Sequence, residues 1–188
     1  FIRLTGCPLR CTWCDTEYAF TGGTSTAIAD ILADVAQHPT RHVCVTGGEP
    51  LAQKSCLTLL TALCDAGYDV CLETSGALDI KPVDPRVARI MDLKAPGSGE
   101  CEKNLVANIA ALRAADEVKI VIASRADFDW ATDMIAEHKL TECCDVVLSP
   151  VAGQLNPSEL AEWILADGLA VRFQIQLHKL LWTDARGK

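Results

Sequence analysis

"LTGCPLRCTWCDTEYAF", residues 4–20, places Cys7, Cys11 and Cys14 within eight positions, with no fourth cysteine near them. A structural zinc site is normally closed by four ligands, and so is an electron-transfer iron–sulfur cluster. Three ligands leave one metal position open, and an open position is where a substrate or cofactor binds. The spacing therefore favours an iron–sulfur cluster with one accessible iron. Zinc with His178 or a distant cysteine as its fourth ligand, or plain core thiols, stay as alternatives.

The composition indicates one globular domain over residues 1–188. The chain has 188 residues, is 49% hydrophobic and 22% charged, and is long enough for one hydrophobic core. It shows no apolar run that could cross a bilayer and no signal segment, so we expect a cytoplasmic protein with no membrane partner. The net charge of −8 argues against direct nucleic-acid binding and favours a small-molecule substrate.

The ten cysteines lie mostly in apolar stretches, which indicates reduced thiols and a metal site rather than a disulfide framework. Outside the opening loop and the ambiguous pair Cys143–Cys144, we expect them to pack as small hydrophobes: Cys44, Cys56, Cys64, Cys71 and Cys101. Phe1 opens a strand already under way, with no turn or Met before it. We therefore expect that a short N-terminal segment is missing from the chain.

Strand and helix patterns alternate along the chain. Short β-branched runs predict strands at residues 1–5, 42–46, 69–73, 89–93, 118–123, 145–148 and 171–177. Apolar residues at helical spacing predict helices at residues 26–37, 51–66, 103–115, 128–138 and 158–166. This alternation indicates an α/β fold with parallel strands and helical crossovers.

Polar groups follow nearly every predicted strand. They are found in "TGC" at 5–7, "TGGE" at 46–49, "ETSG" at 73–76, "DLK" at 92–94, "SP" at 149–150 and "HK" at 178–179. An open doubly wound sheet and a barrel both place their chemistry at the carboxyl ends of strands. Contributions from about six strands to one mouth favour a partial (β/α) barrel of about six parallel strands.

The cysteine spacing C-x-x-x-C-x-x-C resembles the hallmark of the radical S-adenosylmethionine (radical SAM) enzymes, and "TGGEP" at 46–50 resembles that family's second-strand motif. Two glycines let backbone groups approach closely, and a glutamate can pair with an ammonium. Further segments resemble the 7-carboxy-7-deazaguanine synthase family of the queuosine pathway, in its order: "VTGGEPLAQ", "CLETSG", "MDLKAPGSGE", "LSP" and "LHKLLW". A Gln-Gly-Glu-Gly-type segment that precedes the first strand in that family is absent from this chain.

The resemblance implies a radical SAM type of partial barrel, a [4Fe–4S] cluster whose fourth iron binds S-adenosylmethionine, Mg²⁺ dependence, a homodimer and a flavodoxin-type electron donor. The implied activity is that of a carbon–nitrogen lyase in a tRNA modification pathway. A 5′-deoxyadenosyl radical takes hydrogen from C6 of 6-carboxy-5,6,7,8-tetrahydropterin, and the ring contracts to 7-carboxy-7-deazaguanine with loss of ammonia. The cofactor supplies the hard chemistry in such enzymes, so the resemblance assigns no catalytic side chain.

The resemblance also assigns binding roles by position. It implies that Cys7, Cys11 and Cys14 hold the cluster and that Thr16 is a Mg²⁺ ligand. The residues implied to line the cofactor are Trp13, Asp15, Gly48, Glu49, Ser75, Asp92, Lys94 and Ser149; those implied to face the pterin are Arg3, Thr46 and His178. Plainer interpretations exist for several of them, since Trp13 could only shield the cluster and Asp15 could cap a turn.

Two other functions share part of the pattern. A glycyl-radical-enzyme activase carries the same three-cysteine loop but acts on a large protein and needs no Mg²⁺. A non-enzymatic iron–sulfur electron carrier, or a zinc-stabilised module, would leave the polar groups at six strand ends without a role.

Overall fold

The computed structural model describes residues 1–182 of the 188-residue chain. Its strands are β1 (Ile2–Leu4), β2 (His42–Gly47), β3 (Asp69–Thr74), β4 (Ala88–Leu93), β5 (Glu117–Ile122), β6 (Asp145–Pro150) and β7 (Arg172–Phe173). Its α-helices are α1 (Ile28–Val35), α2 (Ser55–Asp65), α3 (Arg125–Glu137), α4 (Leu140–Cys143), α5 (Pro157–Ala166) and α6 (Leu177–Trp182). Short 3₁₀ turns lie at Glu17–Ala19, Pro50–Ala52, Pro96–Ser98, Cys101–Lys103 and Val106–Ala111.

The described strands form one all-parallel, seven-stranded sheet in the order β1 to β7. Because each neighbour follows its predecessor in the chain and crossovers are right-handed, the helices collect on one face of the sheet. The sheet is open, since β1 pairs with β2 and β7 pairs with β6 but the two edge strands do not pair with each other. This confirms the α/β partial barrel, with seven strands where about six were expected.

The helical face holds the hydrophobic core. Two apolar clusters fill it, one centred on β2, β3 and α2 and the other on β4, β5, β6, α3 and α5. Alternate strand residues such as Val45, Leu72 and Ile120 are fully buried there. Since side chains alternate across a strand, their neighbours face the opposite side. We call this second side the inner face; it carries Arg3, Thr46, Glu73, Asp92, Glu117, Lys119, Val121, Val147 and Ser149.

Two predicted elements were wrong. Residues 103–115 do not form an α-helix, because the buried Asn108 side chain instead accepts from the Ile80 amide at 3.2 Å and donates to the carbonyls of Gly76 and Leu78. Residues 171–177 are not one strand: β7 pairs over only two residues of β6, and α6 begins at Leu177. His178 therefore lies on a helix rather than at a strand end.

Among the described helices, none is both long enough and apolar enough to span a membrane.

Candidate functional site

The cysteine loop follows β1 directly and lies at the carboxyl edge of the sheet. Cys7, Cys11 and Cys14 are free, half-buried thiols, and the Cys14 amide donates to the Cys11 carbonyl at 3.2 Å. Burial raises the pKa of Cys11 and of Cys14, and the nearby Lys94 ammonium acts against that rise. Within residues 1–182, no three His, Cys, Asp or Glu side chains converge on a point that could hold a single metal ion. Three accessible thiols on one loop fit a multi-iron cluster, which takes each thiolate on a different iron.

The loop after β4 clamps the cysteine loop from one side. The Thr12 amide donates to the Ser98 carbonyl at 3.0 Å, and the Thr12 hydroxyl donates to the Gly97 carbonyl at 2.9 Å. The Arg10 amide donates to Glu100 Oε1 at 2.5 Å. A Cβ at Gly97 would lie 3.1 Å from the Trp13 ring and 2.7 Å from Asp127 Oδ2, so only glycine leaves room for this packing. These contacts fix the loop on both sides of its second cysteine, Cys11.

The glycine-rich loop after β2 packs against the other side. The Gly48 amide donates to the Leu4 carbonyl at 3.1 Å, and the Glu49 amide donates to the Gly6 carbonyl at 2.7 Å. A Cβ on Gly48 would lie 2.3 Å from the Gly6 oxygen and 2.9 Å from the Cys7 Cβ. Because Gly48 has no side chain, the loop after β2 can pack closely against the backbone of Gly6 and Cys7. The predicted contact of Gly48 with the cofactor stays a prediction.

Glu49 is fully buried, and its carboxylate is surrounded by donors from the protein itself. Oε1 accepts from the Leu51 amide at 2.9 Å, and Oε2 accepts from the Ser75 amide at 2.6 Å. The Thr74 hydroxyl lies 2.9 Å and 3.0 Å from the two oxygens. Glu49 therefore joins the ends of β2 and β3. Whether it also pairs with the amino group of a cofactor stays a prediction.

Asp92 and Lys94 form an ion pair beside the cysteine loop. Lys94 Nζ lies 2.6 Å from Asp92 Oδ2, and both residues border a crevice with Trp13 and Val121. Burial alone would raise the pKa of Asp92, but the ammonium groups of Lys94 and Lys119 outweigh it and the pKa is lowered. The Lys94 ammonium therefore lies near the thiols of Cys11 and Cys14, and the Asp92 carboxylate places a negative charge on the inner face.

The inner face places two of the predicted pterin-facing residues side by side. Arg3 pairs with Thr46 in the β1–β2 register, and the Thr46 hydroxyl donates to Glu73 Oε2 at 2.7 Å. The Arg3 guanidinium lies 5.7 Å from the centre of the Tyr18 ring. Glu73 was expected only as a polar group at a strand end, and Lys119 was not predicted at all. The alternation of side chains along a strand could have placed Glu73 and Lys119 on the inner face. The residues before and after each of them in its strand are buried on the helical face.

Asp15 connects the cysteine loop to the C-terminal part of the described chain. Its Oδ1 accepts from the Thr16 hydroxyl at 2.8 Å, and its Oδ2 accepts from Gln176 Nε2 at 2.7 Å. His178 Nε2 lies 3.5 Å from the same Oδ2. Three predicted site residues, Asp15, Thr16 and His178, therefore lie next to one another. The hydrogen bond between Asp15 and Gln176 joins residues that are 161 positions apart in the sequence. Gln176 was not among the predicted residues.

Two predicted cofactor-lining serines are buried at the same edge of the sheet. Ser75 lies directly after β3, with its amide on Glu49. Ser149 lies near the end of β6 and pairs with Val121 in the β5–β6 register. Within residues 1–182, the Ser149 side chain makes no polar contact with the other predicted residues.

Comparisons with known proteins agree with this geometry. The profile of the radical SAM superfamily matches residues 1–95. The chain is 49% identical to the 7-carboxy-7-deazaguanine synthase of Chlorobaculum tepidum, over 100% of this chain and 87% of that protein. It is 38% identical to the same enzyme of Koribacter versatilis, over 97% of this chain and 88% of that protein. The crystal structure of QueE from Escherichia coli superposes with a TM-score of 0.71 at 22% identity, covering 93% of this chain and 83% of that one.

The matched profile covers the three cysteines, the glycine-rich loop and the Asp92–Lys94 pair, and the two relatives cover nearly the whole chain. The superposition shows a shared fold. The chain therefore belongs to the 7-carboxy-7-deazaguanine synthase family of the radical SAM superfamily, whose enzymes carry a [4Fe–4S] cluster and use S-adenosylmethionine.

Proposed function

We propose that this enzyme catalyses the Mg²⁺-dependent ring contraction of 6-carboxy-5,6,7,8-tetrahydropterin to 7-carboxy-7-deazaguanine, with loss of ammonia, in queuosine biosynthesis. The observation that carries the proposal is the similarity of the whole chain to curated synthases named for this product. The site geometry supports it, because the thiol loop follows β1 at the carboxyl edge of the sheet whose inner face carries Arg3 and Thr46.

Cys7, Cys11 and Cys14 are the proposed cluster ligands. When bound, the cluster and S-adenosylmethionine together supply the 5′-deoxyadenosyl radical. The residues proposed to line the cofactor are Trp13, Asp15, Gly48, Glu49, Ser75, Asp92, Lys94 and Ser149. Lys94 places its ammonium near the thiolates and offsets their negative charge. Trp13 packs over Gly97 and limits the access of water to the loop.

Arg3, Thr46 and His178 are the proposed pterin-binding residues. A guanidinium binds a carboxylate through two parallel hydrogen bonds, so Arg3 suits the 6-carboxylate of the substrate. The Thr46 hydroxyl gives its hydrogen to Glu73, which leaves its oxygen as an acceptor for an N–H of the substrate.

Thr16 is the proposed Mg²⁺ ligand. Mg²⁺ prefers hard oxygen ligands, keeps several waters and commonly takes few groups from the protein. The Thr16 hydroxyl donates its hydrogen to Asp15, so its lone pairs are available to a cation. Substrate oxygens would complete the coordination. Metal and substrate should therefore strengthen each other's binding by the same factor.

The proposed partners follow from membership of the family. They are a second copy of the chain in a homodimer and a flavodoxin-type electron donor, in the cytoplasm. The net charge of −8 supports a small-molecule substrate with no direct contact to nucleic acid.

The test is anaerobic turnover of the cluster-loaded enzyme with the carboxy-tetrahydropterin, S-adenosylmethionine, a reductant and Mg²⁺. We expect 7-carboxy-7-deazaguanine by mass spectrometry, and much less of it when Mg²⁺ is replaced by a chelator. The matched control is the variant with all three loop cysteines changed to Ala. Formation of 5′-deoxyadenosine without conversion of the pterin would refute the proposal and favour the glycyl-radical-enzyme activase.

A further inference from the structure

Gln176 bridges two segments that are far apart in the chain. Its Nε2 donates to Asp15 Oδ2 at 2.7 Å, and its Oε1 accepts from the Ala152 amide at 3.2 Å. Both ends of the side-chain amide are therefore engaged, one on the cysteine loop and one on the loop after β6. This arrangement leaves the amide little freedom to rotate, since each end would meet a partner of the wrong kind if it flipped.

The bridge fixes the orientation of the Asp15 carboxylate. With Oδ2 held by Gln176, Oδ1 is presented to the Thr16 hydroxyl, which donates to it at 2.8 Å. A threonine hydroxyl binds a cation through an oxygen lone pair, so its hydrogen must point elsewhere. Asp15 is the group that receives this hydrogen. Carboxylates that orient a metal ligand in this way act on metal affinity without touching the metal.

We propose that Gln176 is a positioning residue for the divalent cation: it holds Asp15 so that the Thr16 oxygen faces the metal. The inference rests on the proposed function, because it assumes that Thr16 is a metal ligand. It adds a residue from the far end of the described chain to the metal site. The competing interpretation is that Gln176 only fastens the segment before α6 to the loop after β6.

Mn²⁺ is the probe, since its electron paramagnetic resonance signal separates free from bound ion and it accepts the same oxygen ligands. The cluster-loaded enzyme is titrated with Mn²⁺ in the presence of S-adenosylmethionine and the carboxy-tetrahydropterin, without reductant, so that no turnover occurs. The variant is Gln176→Met, which keeps the length of the side chain and removes both hydrogen-bonding groups. Gln174→Met is the matched control, because Gln174 is exposed and its side chain makes no hydrogen bond in the described structure.

We expect Gln176→Met to weaken pterin-dependent Mn²⁺ binding about 10-fold or more, the usual effect of removing an orienting partner of a metal ligand. Iron content and pterin affinity measured in a chelator should match the wild type, whereas the melting temperature should fall because two hydrogen bonds, one of them to a carboxylate, are lost. Gln174→Met should match the wild type in all four measurements. If Gln176→Met folds poorly, Gln176→Asn serves instead; it keeps both groups but is one methylene too short to span the two partners, and the same loss is expected.

Two results would overturn the inference while leaving the proposed function standing. One is unchanged Mn²⁺ affinity in the variant. The other is a loss of pterin affinity, measured with a chelator and no metal, that is as large as the loss of Mn²⁺ affinity. It would show that Gln176 only holds the segment before α6 against the loop after β6. Wild-type enzyme that binds no Mn²⁺ in the presence of the pterin would instead refute the proposed metal site, and this inference with it.

Discussion

Replacing Glu49 with Gln should destabilise the protein even when no cluster and no cofactor are bound. Glu49 is 0% exposed and its two oxygens accept from three donor groups, the Leu51 amide, the Thr74 hydroxyl and the Ser75 amide. A glutamine has one acceptor oxygen in place of two. Its NH₂ group must therefore face either the Leu51 or the Ser75 amide, which are both donors.

The size of the effect follows from these contacts. The substitution removes one hydrogen bond to a charged acceptor, about 1.5–3 kcal/mol, and leaves one buried amide without a partner, about 1–3 kcal/mol. Burying a neutral side chain instead of a charge recovers part of this loss. We expect a net decrease of about 2–4 kcal/mol in the free energy of unfolding. For a domain of this size, that corresponds to a melting temperature lower by roughly 4–16 °C.

The assay is urea unfolding of the cluster-free protein under reducing conditions, followed by circular dichroism. Glu162→Gln is the control, since Glu162 is exposed on α5 and should unfold at the wild-type midpoint. Equal midpoints for Glu49→Gln and wild type would refute the reasoning. They would mean that the hydrogen bonds of the carboxylate at the junction of β2 and β3 add no net stability.

Substitutions of the loop cysteines and of Thr16 test the cluster and metal assignments. Changing any one of the three loop cysteines to Ala should abolish the iron-based visible absorbance. The control, Cys56→Ala at a buried core position, should keep this absorbance. Equal iron content in all variants would show that Cys7, Cys11 and Cys14 are not the cluster ligands. Thr16→Ala should preserve iron content and cofactor binding, because the three thiols are unchanged. Product formation should fall steeply, and its dependence on Mg²⁺ should weaken. If product formation rises equally steeply with Mg²⁺ in the variant and the wild type, Thr16 is not part of the metal site.

The sheet could be predicted from the sequence because each strand has its own local pattern. The runs at residues 42–46, 69–73 and 118–123 are short and β-branched, and helical spacing separates most of them. The position of the cysteine loop followed from the same pattern, since it comes directly after the first run. Polar groups at successive strand ends then had to share one edge, because the strands are parallel.

The errors lie where a distant partner decides the structure. Residues 103–115 have helical spacing, but Asn108 satisfies backbone groups 28 to 32 residues away, a pairing that no local pattern records. The alternation at residues 171–177 is typical of a strand, yet only Arg172 and Phe173 find partners on β6. The clamp on Thr12 was missed because its acceptors are the backbone carbonyls of Gly97 and Ser98, which carry no side-chain signature.

The cysteine loop owes its shape to segments that are remote in sequence. Leu9 is its one deeply buried apolar side chain within residues 7–14, so the loop has little core of its own. It is fixed instead by the loop after β2, by the loop after β4 and by Gln176, which bonds to Asp15 just beyond the third cysteine. These contacts join the loop to segments that the sheet brings to its carboxyl edge, after β2, β4 and β7. The folded sheet therefore positions the three thiols, and contacts of this kind lower the cost of ordering the loop when a cluster binds.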